Sequence, residues 1–352
     1  MHRSWTRAAV AGLLLSLAAG SVDAARYRYG RGYSRGGGEQ AGVLVSFEGG
    51  LVNLRNADLV YATSESLQIA GGGLNQITAL TPGAEDDFSG RLAVAYQWAD
   101  GNRLTATFST YNTSTSAAAD GPLGGALHFA IGPPIALGGG NFVGDSGSPG
   151  YFSLRTETDA STADVAFGRS HELGDDFRME WSTGLRYAKF EEKTSGFYDD
   201  SLFIASTFGD NRYAVAKQIE GEMIGARVAA RGSYFFTTSF SVSAGIGFAL
   251  LDGEIKSTSG LTPTGLLNAT TQPASVATIN DDGRSGATTD FDTRLTWHSS
   301  DDRLRVWLGW EQQEWSGIVE DDLRNFPGTA TPLDPRDSVV FSGYRAGVSY
   351  RF

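Results

Sequence analysis

The end of the chain restricts the fold most. From Val340 onward, Ser342, Tyr344, Ala346, Val348, Tyr350 and the terminal Phe352 fall on one phase of a period-two pattern. Gly343, Arg345, Gly347, Ser349 and Arg351 fall on the other. Successive side chains of a strand point to opposite faces, whereas a helix would smear the aromatic residues around its circumference. The segment is therefore read as a β-strand with one apolar and one polar face, closed by an aromatic residue in register. Strands of bacterial outer-membrane barrels commonly end this way, so Tyr344, Val348, Tyr350 and Phe352 are read as an assembly signal for the barrel-assembly machinery.

The same alternation recurs along the chain. Phe88, Leu92, Val94, Tyr96 and Trp98 oppose Ser89, Arg91, Ala93, Ala95 and Gln97. An Asp100-Gly101 turn then leads into Leu104, Ala106 and Phe108 against Arg103, Thr105 and Thr107, which is a hairpin pattern. Further alternating runs cover Phe177–Tyr187, Ile224–Tyr234, Phe240–Leu250 and Leu304–Trp310, with weaker ones at Val43–Asn53, Phe152–Arg169 and Thr289–Trp297. A membrane-crossing strand needs about 9–11 residues with every second side chain facing lipid, and most of these runs reach that length.

The connections sort by parity. Long ones (Leu54–Asp87, Thr113–Tyr151, Glu191–Lys217, Gly253–Thr288 and Ser316–Arg336) alternate with short ones near Ala99–Asn102, Ser170–Asp176, Thr237–Ser239 and His298–Asp302. Outer-membrane barrels carry long loops outside and short periplasmic turns. The expectation is an all-β antiparallel transmembrane barrel, ten strands preferred over 8 or 12, occupying residues 42–352 with both ends in the periplasm. Leu59–Ile69 and Ala126–Leu137 could hide further strands or loop hairpins.

The N-terminus fits export. His2, Arg3 and Arg7 precede an apolar run from Ala8 to Gly20, followed by Val22-Asp23-Ala24, a small–x–small cleavage pattern. The run is shorter than the roughly 20 residues a spanning helix requires. Residues 1–24 are thus expected to be a cleaved signal peptide, and residues 25–41 a flexible, basic Gly/Arg-rich periplasmic segment. With no cysteine the chain has no thiolate site, disulfide or lipid-bearing thiol. Its net charge of −12 disfavours nucleic acid as a partner.

Several motifs invite chemistry without supporting it. Gly144-Asp145-Ser146-Gly147 copies a protease nucleophile motif, and Gly32-Tyr33-Ser34-Arg35-Gly36 a hydrolase elbow. The first lacks a suitable fold, and the second lacks the strand and helix that an elbow needs. An enzyme of the extracellular rim would need a histidine or paired carboxylates there, and His128 alone is available, so no enzyme is expected. Glu85-Asp86-Asp87, Asp281-Asp282-Gly283 and Glu320-Asp321-Asp322 read as acidic loop tips without calcium-loop spacing. No cofactor or metal is expected. The partners expected are outer-membrane lipid, lipopolysaccharide and small solutes; the sequence carries no sign of oligomeric state.

The inward phase is rich in arginine. Arg91, Arg103, Arg178, Arg186, Arg227, Arg231, Arg294, Arg303, Arg305, Arg345 and Arg351 share it with Glu48, Glu180, Asp290, Asp292 and Glu311. Two readings stand side by side: arginine–carboxylate ladders that satisfy a narrow interior, and a basic pore lining that favours anions.

Gly184-Leu185-Arg186-Tyr187-Ala188, the stretch Ile224–Val228 through Gly245-Ile246-Gly247, and Phe341–Gly347 resemble the Legionella-type, major-outer-membrane-protein-like pore-forming proteins. The likeness runs from about Phe88 to Phe352, long loops excluded. It implies pore formation and supplies no ligand-binding residues. The expected function is a narrow passive, porin-like channel for small solutes, anions among them. The competing reading is a plugged structural or adhesive barrel that acts through its extracellular loops.

Overall fold

The computed structural model describes residues 41–55, 62–66, 76–80, 83–84, 86–120, 125–129, 151–174, 176–199, 212–264, 275–317 and 338–352. The signal peptide, the basic segment up to residue 40, both nucleophile-like motifs and Glu320-Asp321-Asp322 lie outside them.

Among the described residues, ten long strands form one antiparallel sheet: β1 (Gly42–Arg55), β2 (Asp86–Gln97), β3 (Asn102–Asp120), β4 (Tyr151–Glu172), β5 (Phe177–Asp199), β6 (Arg212–Phe235), β7 (Phe240–Pro263), β8 (Ser275–His298), β9 (Leu304–Ser316) and β10 (Ser338–Arg351). Each pairs with its sequence neighbours, and β1 pairs with β10 from Leu44↔Arg351 to Arg55↔Val340. That last pairing closes the barrel, the condition for a sheet in lipid.

The ten alternating runs coincide with these strands. Their outward phase forms an apolar belt that includes Phe47, Leu51, Phe88, Leu185, Ile224, Val228, Ile246, Leu250, Leu308, Tyr344 and Phe352, all exposed. Aromatic pairs such as Tyr96–Trp98 and Tyr350–Phe352, each 4.9 Å between centroids, line its periplasmic margin. The terminal Phe352 is tied in by its backbone N–H, which donates to the Val43 carbonyl at 2.9 Å.

The strands reach well past that belt, and here the expected loops need correction. β4 to β8 run 22–24 residues, about twice what a membrane requires. The segments expected as the loops Glu191–Lys217 and Gly253–Thr288 are mostly strand, with only 200–211 and 265–274 between the described ends. The reason is solvent. On the outer face of β5, Tyr187 gives way to Lys189 and Glu191, and on β6 Ile224 gives way to Glu222 and Glu220. Outside lipid a strand need not alternate apolar with polar, so the period-two signal falls silent while the hydrogen-bonded ladder continues.

Asp281-Asp282-Gly283 is likewise no loop tip. It lies within β8, where Gly253 and Glu254 pair with Arg284 and Asp282 and leave Gly283 between them. Gly283 has φ +80°, the left-handed geometry of a glycine bulge. Of the two ambiguous regions, Ala62–Ser66 and Gly125–Phe129 pair with each other, and Gln76–Leu80 joins them in a small three-stranded sheet. His128 sits on that sheet, opposite Thr63.

Candidate functional site

The inward phase builds three levels along the barrel axis. The level nearest the short turns is a charged chamber of about 300 Å³, reaching down to His298, Arg305 and Phe235. Eight of the expected arginines line it (Arg91, Arg103, Arg178, Arg186, Arg227, Arg231, Arg294 and Arg305), together with Glu180 and Glu311. Glu48, Asp290 and Asp292 join them, and so does Asp164, an inward residue of β4 not counted at the sequence level. Asp164 lies on a strand whose apolar alternation is weak, but its cross-strand partner is Arg186, and that pairing is its signal.

The other three expected arginines stand elsewhere. Arg303 is in the turn before β9, largely exposed, with Nε 3.9 Å from Asp301. Arg345 is buried above the chamber, and Arg351 is buried at the periplasmic end with Nη1 3.7 Å from Asp302. Eight arginines against six carboxylates is a smaller surplus than the sequence suggested.

The charges form a lattice. Arg186 sends Nε and Nη2 to Asp164 at 2.7 and 2.9 Å, and Nη1 and Nη2 to Asp290 at 3.0 and 2.7 Å. Its Nη1 also donates to Thr288 at 2.7 Å. Arg231 bonds Asp292 at 2.7 Å, and Arg294 bridges Asp292 and Glu48 at 3.1 Å each. Arg91 joins Glu48 at 3.1 Å to Glu311 at 2.8 Å, and Arg103 holds Glu180 at 2.9 Å. Planar guanidinium forks suit this role because one fork can satisfy two carboxylates at once.

Inward glycines give the long side chains their space. A Cβ on Gly245 would lie 2.8 Å from Asp292 Oδ1 and 3.2 Å from Arg231 Nη2, and one on Gly347 would lie 2.5 Å from the Trp307 ring. Above Trp307 the Arg294 guanidinium stacks at 5.4 Å.

The second level is apolar and was not anticipated. Tyr111, Phe341, Trp315 and Phe190 all face inward and are almost wholly buried. Tyr111 and Phe341 are 5.2 Å apart, Trp315 and Phe341 6.5 Å, and Phe190 and Trp315 6.2 Å. Val52, Leu54, Met223, Leu251, Ile255 and Val339 complete the layer. Its trace in the sequence is the loss of alternation in runs such as Leu51-Val52 and Val339-Val340-Phe341, apolar on both phases.

Polar groups join the two levels. Tyr111 Oη donates to Glu311 at 2.6 Å, and Trp315 Nε1 donates to Gln313, which donates to Asp290 at 2.6 Å. Arg345 lies over the Tyr111 ring at 4.9 Å, with Nη2 3.4 Å from Glu311.

The third level is mostly polar, with Ile219 extending the apolar cluster into it. Thr113, Thr158, Glu192 and Ile219 form one cross-strand row, and Thr115, Thr156, Thr194 and Lys217 the next. Thr156 and Thr194 share a 3.0 Å hydrogen bond. Because the lipid-facing side of β5 ends near Tyr187, Glu192 stands outside the membrane span. Burial raises its carboxyl to about 7, with the Lys217 ammonium opposing the rise.

A closed barrel with a lipid belt, a basic chamber and an aromatic end is the setting for the comparisons. Residues 54–352 match the family described as the Legionella pneumophila major outer membrane protein precursor. The chain belongs to that family. It is therefore an outer-membrane β-barrel protein. No curated protein sequence matches it. Among solved structures it is similar to the outer membrane protease OmpT from Escherichia coli, at 10% identity over 91% of this chain and 100% of that one, with a TM-score of 0.41. A major outer membrane protein from Thermus thermophilus shows 15% identity over 89% and 100%, with a TM-score of 0.28. The outer membrane protein OprG from Pseudomonas aeruginosa shows 9% identity over 90% and 98%, also at 0.28. The assignment to the outer membrane rests on the family match and on the barrel's own closure and belt.

Proposed function

We propose that this barrel is a narrow passive channel for small anionic solutes, constricted at the aromatic layer. One observation carries the reading: polar side chains stand on both sides of the apolar layer, and the lower level is a chamber with more guanidinium groups than carboxylates. A structural core has no need to become polar again beyond its apolar centre, whereas hydrophobic constrictions are a known means of gating by dewetting. A ten-stranded barrel is close to the size that side chains fill, so only low conductance is expected. Fixed wall charge would be felt across such a pore, because the Debye length is about 8 Å at physiological salt.

The second reading, a plugged barrel that acts from outside, is favoured by the packing of Tyr111, Phe341, Trp315 and Phe190. Single-channel recording in a planar bilayer separates the two. Small anion-selective steps are expected, growing in a Phe341→Ala, Trp315→Ala variant and shifting toward cations in Arg227→Glu, Arg231→Glu. Silence from the wild type and from the widened variant alike supports the plugged barrel. Export belongs to the same reading: the mature protein is expected to begin at Ala25, which intact-mass spectrometry of the purified membrane form checks.

A further inference from the structure

Three side chains at the periplasmic end of the chamber are joined in a row of hydrogen bonds. Ser241 is the second residue of β7, set by a turn in which Thr237 Oγ1 accepts the N–H groups of Ser239 and Phe240 at 3.2 and 2.9 Å. His298 is the last residue of β8, and its backbone N–H donates to the Ser239 carbonyl at 2.8 Å. Asp302 lies in the next turn with φ +53°, a left-handed backbone that Asp tolerates better than most non-glycine residues.

Ser241 Oγ is 2.8 Å from His298 Nε2, and His298 Nδ1 is 3.1 Å from Asp302 Oδ1. An ionised carboxylate can only accept, so Nδ1 carries the proton. In neutral imidazole that leaves the Nε2 lone pair to accept the serine O–H. Ser241 and His298 are both buried, yet both line the chamber.

The surroundings suit nucleophilic chemistry. Arg305 is the direct cross-strand partner of His298, and its guanidinium grips the same Asp302 carboxylate at 3.1 and 2.8 Å. It holds the Asp302 carboxylate in place behind the imidazole, on the side away from Ser241. The imidazole packs on Phe235 at 5.4 Å. Burial opposes ionisation of Asp302, but the His298 hydrogen bond and the Arg305 and Arg351 charges outweigh it and hold the carboxyl well below its usual range.

We propose that Ser241, His298 and Asp302 form a serine-hydrolase site that opens into the chamber and acts on short carboxylic esters. Ser241 Oγ attacks the ester carbonyl carbon while its proton passes to His298 Nε2. The carbon–oxygen bond to the alcohol breaks, and the departing oxygen takes that proton. Water then attacks the acyl-serine and gives its proton to Nε2. The carboxylic acid leaves, Oγ recovers the proton, and the sum is ester plus water to acid plus alcohol. Asp302 orients and stabilises the imidazolium. A chamber of about 300 Å³ is at the lower end of small-molecule sites, which sets the size, and its arginine surplus favours esters bearing a negative group.

The test uses the full folded barrel in detergent micelles. A small ethyl fluorophosphonate is expected to label Ser241, located by peptide mass mapping. p-Nitrophenyl acetate is expected to turn over above the micelle background, falling about a hundredfold in Ser241→Ala and in His298→Gln. Asp302→Asn should retain labelling at high pH and lose it near neutrality, a pH dependence that a mere turn staple would not produce. The proposal is overturned if the wild type, verified as folded by heat-modified migration, shows no more turnover than Ser241→Ala, or if the probe leaves Ser241 unmodified. Neither result depends on whether the lumen conducts.

Discussion

The charged chamber and the aromatic layer above it are both buried inside one barrel, yet opposite chemistry holds them. In the chamber every lining carboxylate touches at least one guanidinium, and several touch two. In the layer the contacts are ring to ring, without direction beyond packing. A charge lattice is intolerant: removing one member strands its partners in a poorly solvated interior. An apolar layer loses contacts in proportion to the volume removed. The difference also bears on solutes, because the lattice keeps a polar space while the layer excludes water.

The strongest way to break this contrast is Arg186→Ala. It leaves Asp164 and Asp290 without their main partner, and a loss of about 3–5 kcal/mol is expected. Arg186→Lys should recover only part of it, since an ammonium cannot supply two forks. Thermal unfolding followed by tryptophan fluorescence checks both. A loss under about 1 kcal/mol would show that the lattice is not what secures the chamber.

Glu192 sharpens the comparison from above the layer, where a carboxyl is buried outside the arginine lattice. Its pKa is raised from 4.5 to about 7, so the folded state binds the proton more tightly than the unfolded chain does. Stability should therefore be highest below pH 4.5 as far as this group is concerned, fall as pH rises toward 7, and level off above it. Glu192→Gln should flatten that dependence and gain on the order of 3 kcal/mol at pH 8. Unfolding midpoints at pH 5 and 8 measure it, and parallel curves for both proteins would refute it.

Tyr111 belongs to both regions, with its ring in the layer and its hydroxyl on Glu311. Tyr111→Phe keeps the packing and removes two charge-assisted bonds, the one to Glu311 and the one accepted from Arg91 Nη2 at 3.2 Å, while Arg91 still holds Glu311. A loss of about 1.5 kcal/mol is expected in denaturant titration. A much larger loss would mean that the two regions are coupled through this residue more tightly than its two hydrogen bonds allow.

The sequence by itself determined whatever lipid imposes. A membrane forces apolar side chains onto every second position and leaves backbone groups no partner but a neighbouring strand. The ten crossings and the closing aromatic of β10 could therefore be read from period two with the parity of the connections. Period two alone also counted Arg303, which lies exposed in a turn, among the inward arginines. Tertiary structure decided what lipid does not touch. Above the belt the outer face meets water, so nothing in the sequence separated the tall walls of β5 to β8 from loops, or revealed that Asp281–Gly283 sits in a strand bulge. Inside, inward phase states only that a side chain faces its opposite numbers. Asp164 and Asp290 share one guanidinium because closure brings β5 and β8 to face each other across one axis, whereas Phe341 with Trp315 and Ser241 with His298 meet across neighbouring strands, in a register that the sequence did not state.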